Sequence, residues 1–393
     1  KMLGLSGTIK DLLGNPTSEQ NVFLRQVEAA EWDKATLQFP KAFEGTGFQK
    51  SANGRAVFGL VQFKAGLPVT GMETLFSSGL PNDINADIRK EWKTVAGPEH
   101  FVWNLAKISW NSGWDNVFSK RVGYKIKTRT MSSISNMAEL KSLSELAPVG
   151  SRERADIEWQ LVLAYSLNDQ ADKAAKLLAT LMRAEYLPVS KDLMQLTAAR
   201  LLFQNGYFDA SIKYYEKVSK ESEFWTEAQE EIAWAYVRKG EPQNAIAVSR
   251  GLVNMAMNTQ VSAEAYFVSS LSQLKVCDYT AVSKNLEAFP KAFKNRTKIL
   301  GEISKNSDSP NVTKAIDLLK VKKIRFQDLG ESAETLPRLI TRDEKLFDFA
   351  QSQKHFEDEA KTAETLYAKS LAQTGLQGYF ANLKQTTLSR AQM

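Results

Sequence analysis

Side chains able to carry acid–base, nucleophilic or metal chemistry are scarce in this sequence. Its two histidines, His100 and His355, stand far apart in the chain. Neither belongs to a pattern of two histidines flanking a glutamate, which would set both imidazoles on one helix face around a zinc ion. Cys277 is the single cysteine, so no intrachain disulfide can form and a thiolate metal site is not expected. No cofactor, no metal centre and no enzymatic activity are anticipated. One carboxylate, Glu331 in Gly330-Glu331-Ser332, invites a test. A general acid there needs apolar enclosure to raise its pKa, yet its neighbours are Ser332, Ala333 and Glu334.

Charge and aromatics offer binding chemistry instead. The 393 residues carry 51 Lys and Arg against 45 Asp and Glu, a formal charge of +6. That balance allows an acidic partner without demanding nucleic acid. Two basic clusters stand out, Lys120 to Arg129 and Lys320 to Arg325. Either could touch phosphates, but no recognition fold surrounds them, and solvated helix ends read better. Phe101, Trp103, Trp110, Trp114 and Phe118 could stack sugars or bases, although aromatics at helical spacing usually form core. Hydrophobic residues at 43% exclude wholesale disorder. No apolar stretch is long enough for a transmembrane helix, and Lys1-Met2 opens without a signal peptide, as in a processed chain.

The elements that would present such residues announce themselves by repetition. Four turn-like segments, 168–174, 205–211, 239–245 and 276–282, close on Ala174, Ser211, Ala245 and Val282, spaced 37, 34 and 37 residues apart. An apolar run precedes each, and a second follows: Ala175 to Met182, Ile212 to Val218, Ile246 to Leu252, Asn285 to Phe289. The unit is a helix hairpin. Small residues, Ala199 and Ser211 in the second unit and Ala233 and Ala245 in the third, sit where the two helix axes must approach.

These residues resemble the tetratricopeptide repeat, whose unit is helix, turn, helix with a period near 34. Leu202, Gly206, Tyr215 and Val218 fit its second unit; Tyr236, Gly240 and Leu252 fit its third. The first offers Val162, Tyr165, Asp169, Leu178 and Leu181. The fourth offers Ser270, Gln273, Cys277, Leu286 and Phe289, with Gln273 replacing an aromatic and Cys277 structural in the turn. The resemblance implies an all-α fold, an α-solenoid of hairpins whose first helices line a concave groove. Carried onto this chain, the groove positions are Trp159 and Leu163, then Leu196, Arg200, Phe203 and Gln204, then Glu230, Glu231, Trp234 and Arg238, then Phe267, Leu271 and Lys275. Aromatics and Arg make large contacts at low entropic cost, so the implied function is a non-enzymatic scaffold for a peptide or protein partner. The family subset that grips a C-terminal carboxylate uses Asn where this chain has Leu163, Arg200, Trp234 and Leu271, which argues against that ligand.

Residues 265–293 are also similar to cell-envelope repeat proteins of gliding and predatory bacteria, implying a periplasmic or envelope-associated scaffold. A second resemblance, of Gly330-Glu331-Ser332 to helical-solenoid lytic transglycosylases, implies a cell-wall enzyme as the alternative. An anionic-surface or nucleic-acid binder is the third.

The remaining chain falls around the array. Residues 1–150 read as degenerate repeats: a lead closed by Gly14-Asn15-Pro16, an N-cap at Thr17 or Ser18, a turn at Ala30 to Ala35, and a hairpin marked by Phe58, Gly59, Phe63, Gly66, Gly71 and Leu75. Trp114 to Val117 looks like another hairpin turn, and Ser132 to Pro148 forms one helix with Ile134 on its apolar side. Residues 151–303 hold the regular array, weakening after Phe293. Residues 304–393 form a linker, a helix over Val312 to Phe326, a long helix from about Thr335 to Ala372 and a final segment, together capping the array.

Overall fold

The computed structural model describes residues 4–79, 81–105, 110–130, 137–255, 261–305, 309–373 and 375–392. Helices and turns account for them, with no strand among the described residues. In chain order the α-helices are α1 (Leu5–Leu13), α2 (Ser18–Glu28), α3 (Trp32–Phe43), α4 (Gly47–Lys50), α5 (Ala52–Lys64), α6 (Pro68–Phe76), α7 (Ala86–Val95), α8 (Val102–Leu105), α9 (Lys120–Thr130), α10 (Met137–Leu146) and α11 (Arg152–Leu167). There follow α12 (Ala171–Leu181), α13 (Lys191–Gln204), α14 (Phe208–Tyr215), α15 (Trp225–Lys239), α16 (Pro242–Asn254), α17 (Ala263–Lys275), α18 (Tyr279–Lys305), α19 (Pro310–Val321), α20 (Glu344–Ser370) and α21 (Gln377–Gln392). The chain divides into one unit of Lys1–Thr130 with Asp348–Met393 and a second of Met131–Phe347.

Six helix pairs are joined by one kind of turn. Ala30, Gly66, Asp169, Gly206, Gly240 and Cys277 all take a left-handed backbone, with φ of 56, 90, 55, 78, 79 and 60°. In each case the next residue donates its N–H to a carbonyl five residues back: Glu31 to Gln26, Leu67 to Gln62, Gln170 to Tyr165, Tyr207 to Leu202, Glu241 to Tyr236, Asp278 to Gln273, all at 2.9 or 3.0 Å. This bond satisfies a carbonyl that the ending helix leaves open and reverses the chain into the second helix. The pairs are α2/α3, α5/α6, α11/α12, α13/α14, α15/α16 and α17/α18, so the turns expected at Ala30 and Gly66 have the geometry of the four clear ones.

In the second unit each hairpin shares a core with the next. Leu196 and Ala199 of α13, Ile212 and Tyr215 of α14 and Ala228, Ile232 and Ala235 of α15 form one cluster; Ala233 and Val237 of α15, Ala245 of α16 and Val268 of α17 form the following one. The small positions behave as their spacing requires, Ala174, Ala199, Ser211, Ala233 and Ala245 all being fully buried. Ser211 Oγ donates to the Ala199 carbonyl at 2.8 Å, tying the two helices where they approach. In the last hairpin, buried Gln273 takes the aromatic's place in a polar network: Asn285 Nδ2 donates to Gln273 Oε1 and to Ser269 Oγ, each at 3.0 Å.

The first unit is built on aromatics and glycines. Thr17 caps α2 through a capping box with Gln20. Helices α5 and α6 cross at Gly59 and Gly71, where a Cβ on Gly59 would stand 2.5 Å from the Gly71 carbonyl oxygen. Trp103, Trp114 and Phe118 are buried in core and edge-packed or tilted against one another and their neighbours, so the aromatic cluster is packing. The stretch read as a hairpin turn near Trp114 is a short 3-10 helix, Ser112–Asn116. The basic run at Lys120 is helix α9, with Arg121 on Glu99 at 2.5 Å.

Several boundaries differ from the sequence reading. Helix α18 runs past the expected apolar run of Asn285 to Phe289, through Pro290, to Lys305. Helix α20 starts at Glu344 rather than near Thr335, because Pro337 opens a 3-10 turn and Asp343 Oδ1 accepts the Lys345 and Leu346 N–H groups as an N-cap. Helix α19 ends at Val321, short of Phe326, which opens a 3-10 segment reaching Thr335. Ile134 lies outside the described residues. The tail expected to cap the array spends its apolar side within the first unit, where Ala363, Leu366, Leu376, Phe380 and Leu383 close over Leu37 and Leu67. No described helix is long and apolar enough to cross a membrane.

Candidate functional site

Glu227, Glu230, Glu231, Trp234 and Arg238 lie on α15, each three or four residues from another of the set, which puts them on one side of that helix, and Glu223 stands just before its first turn. The flanking first helices add α13 with Arg200 and α17 with Glu264 and Phe267. Arg200 Nε donates to both carboxylate oxygens of Glu231 at 3.0 Å, and its Nη2 reaches Glu227 and Glu231. This pair joins α13 to α15. On the other flank Trp234 Nε1 donates to Glu264 Oε1 at 2.7 Å, and its ring lies 5.8 Å from that of Phe267.

Glu230 is the most buried member, 1% exposed, and its four hydrogen bonds explain how it stays there. Its Oε1 accepts the N–H and the hydroxyl of Ser262, both at 2.8 Å, and Ser262 is the N-cap of α17. Its Oε2 accepts both terminal nitrogens of Arg338 at 3.1 Å. A buried carboxylate is tolerated only when its lone pairs are met in this way.

Arg338 belongs to a segment the sequence did not connect with this face. After α19 the chain forms a 3-10 stretch, Phe326–Thr335, anchored by Phe326, Leu329 and Leu336, and then a 3-10 turn, Arg338–Thr341, against α15. Arg342 Nη1 donates to Glu227, its Nη2 donates to the Glu223 carbonyl, and its guanidinium stacks 4.3 Å over the Phe224 ring. Thr341 Oγ1 donates to Glu223 Oε2 at 3.4 Å. Burial alone would raise the Glu227 carboxyl; Arg200 and Arg342 outweigh that and hold it below the ordinary glutamate value.

The residues expected to line a groove therefore separate. Trp159 and Leu196 are core, buried in the clusters of α11 to α13 and α13 to α15. Leu163 is half-buried against the first of these. Phe203 packs edge-on to Phe208, and Arg238, exposed, reaches over that same ring. Arg200, Glu230 and Glu231 are consumed in ion pairs between helices. Phe267, 60% exposed, lies beside half-buried Trp234 and Leu271, with Gln204 and Lys275 exposed. The reading missed Glu223, Glu227, Arg338 and Arg342. Their i, i+4 spacings were visible, but nothing in the sequence links carboxylates on α15 to arginines more than a hundred residues later.

Comparison with known proteins returns no family model that matches the chain and no curated protein that matches it.

The other chemistry-bearing residues are dispersed. Among the described residues no group of three His, Cys, Asp or Glu is placed to hold a metal ion. Cys277 is exposed at its turn, and Glu331 is exposed without apolar enclosure. The two histidines pack against one ring: His355 stacks 3.4 Å from Phe101, and His100 lies 4.5 Å from it. In the second basic cluster Lys323 pairs with Glu344 and Arg325 with Asp328.

Proposed function

We propose that this chain is a non-enzymatic, tetratricopeptide-like scaffold, working in a bacterial cell envelope, that holds a peptide or protein partner along the first helices of its hairpins, α13, α15 and α17. In this reading the hairpins of the second unit stack into an α-solenoid, and those helices line its concave side. The observation that carries it is the pairing of half-buried Trp234 with exposed Phe267 on successive hairpins, two large rings beside a row of carboxylates. Rings held by their own helices lose little entropy on contact, which is the usual make-up of an interface anchor. The shared turn geometry supports the repeat reading, because one hairpin conformation used again sets one surface beside the next.

The test is selection of a displayed random-peptide library on the purified chain, with recovered peptides measured by fluorescence anisotropy. Trp234→Ala with Phe267→Ala should weaken them at least tenfold while the helical circular dichroism stays unchanged. Peptides that bind both chains equally would refute this face.

A further inference from the structure

The face just described already carries a peptide segment, and that segment belongs to the chain itself. Residues 336–342 cross the N-terminal half of the α15 stripe, Arg338 on Glu230 and Arg342 on Glu227 and Glu223, while half-buried Trp234 lies further along the stripe beside exposed Phe267 of α17. The segment is anchored at one end by buried Leu336 and carries Leu339 outward, 58% exposed. Its hold on α15 runs through two guanidiniums four residues apart, that of Arg342 also stacked on Phe224. An equivalent pair brought by another molecule would meet each carboxylate as it is released, so that none is left buried and unpaired.

We propose that residues 336–342 are a built-in occupant of the first-helix face, and that the partner taken there is a peptide segment carrying two arginines four residues apart, which displaces it. The inference rests on the scaffold reading and narrows it to a ligand chemistry. Five carboxylates, Glu223, Glu227, Glu230, Glu231 and Glu264, line this face, and Arg200, from within the hairpins, pairs with Glu231 and Glu227. Arg338 and Arg342 of the displaceable segment bring charge to Glu230, Glu227 and Glu223. A partner extending past it would reach Trp234 and Phe267, gaining apolar contact that the internal segment does not make. That difference is what favours the outside ligand over the tethered one, whose effective concentration is high.

The experiment uses a fluorescein-labelled peptide with the sequence of residues 336–344, titrated by anisotropy into the full chain and into Arg338→Ala/Arg342→Ala. The double variant should bind it at least tenfold more tightly than the unaltered chain. Binding should vanish when both arginines of the peptide are alanine, or when Glu227→Gln and Glu230→Gln are added to the variant. Equal affinity for the two chains, or binding indifferent to the peptide's arginines, overturns the proposal. If the double variant does not fold, amide exchange of residues 336–342 in the unaltered chain decides it: excess peptide should accelerate that exchange, and no acceleration overturns the proposal. Library peptides that lack arginine yet depend on Trp234 and Phe267 would sink this inference while leaving the scaffold reading in place.

Discussion

The Arg338 guanidinium places both terminal nitrogens 3.1 Å from one oxygen of Glu230, a residue 108 positions earlier whose other oxygen caps α17 through Ser262. One buried carboxylate thus fixes three elements: α15, the start of α17 and the segment returning after α19. Removing it leaves a guanidinium largely out of water and the Ser262 N–H unmatched.

Glu230→Ala is therefore expected to cost about 3–5 kcal/mol in urea unfolding, the range for breaking a buried ion pair from one side. Glu230→Gln keeps an acceptor for Ser262 and should cost clearly less. A loss below about 1 kcal/mol for the alanine variant would mean that the pair does not hold these elements together.

Cys277 offers the opposite sign. Its φ of 60° is the left-handed conformation that Gly206 and Gly240 adopt at equivalent turns, and its side chain is exposed. A non-glycine residue pays about 1–2 kcal/mol there, partly offset by the extra chain entropy of glycine in the unfolded state. Cys277→Gly should raise stability by up to about 1 kcal/mol, read as a small increase in melting temperature. A decrease would show that the thiol makes a contact worth more than the backbone strain.

How much of this was open to sequence reading varies from place to place for physical reasons. Gly206, Gly240 and the small Ala and Ser positions reveal hairpins because a reversal and a close helix approach admit few residue types. Asp169, Ala30 and Cys277 show that the same turn tolerates others, so glycine alone does not mark every hairpin. Trp159 and Leu196 were assigned to a groove by register, yet large apolar side chains on a first helix serve equally well as packing between hairpins, and only their burial separates the two uses. The contact of residues 336–342 with α15 was illegible because ion pairs between residues some hundred positions apart leave no periodic trace.

Close helix crossing gives a paired prediction. A Cβ on Gly71 would meet the Gly59 carbonyl and stand 2.9 Å from the Phe63 nitrogen, whereas one on Gly251, within α16, meets nothing within 4 Å. Gly71→Ala should destabilise by about 1–3 kcal/mol, as overpacking does. Gly251→Ala should stabilise by about 0.5–1 kcal/mol through helix propensity alone. Similar effects at both sites, by thermal or urea unfolding, would contradict the crossing at Gly59 and Gly71.

The first unit should respond to pH from two directions. Burial, then His355 and Lys125, push His100 below the ordinary imidazole value; burial and Lys354 do the same to His355 against the pull of Asp358. A base with a depressed folded pKa leaves the unfolded chain binding more protons, so stability falls as pH drops below about 6.5. Glu359 behaves inversely. Its Oε1 accepts the Thr70 N–H at 2.8 Å, capping α6 from another helix, but burial raises the carboxyl above its ordinary value despite Thr70 and Arg390, with Glu73 adding to the rise. For an acid with a raised folded pKa, stability declines as pH climbs from the unfolded to the folded pKa. His355→Phe should flatten the acid limb of a melting-temperature profile and Glu359→Gln the limb above the usual glutamate range. Profiles unchanged by either substitution would contradict these assignments.

The central proposal is that a partner lies along α13, α15 and α17. It is met most directly by hydrogen exchange of the chain with a selected peptide bound. The expected result is slowed exchange over residues 191–204, 225–239 and 263–275, with α12, α14 and α16 unaffected. Protection falling on α12, α14 and α16 instead would contradict it.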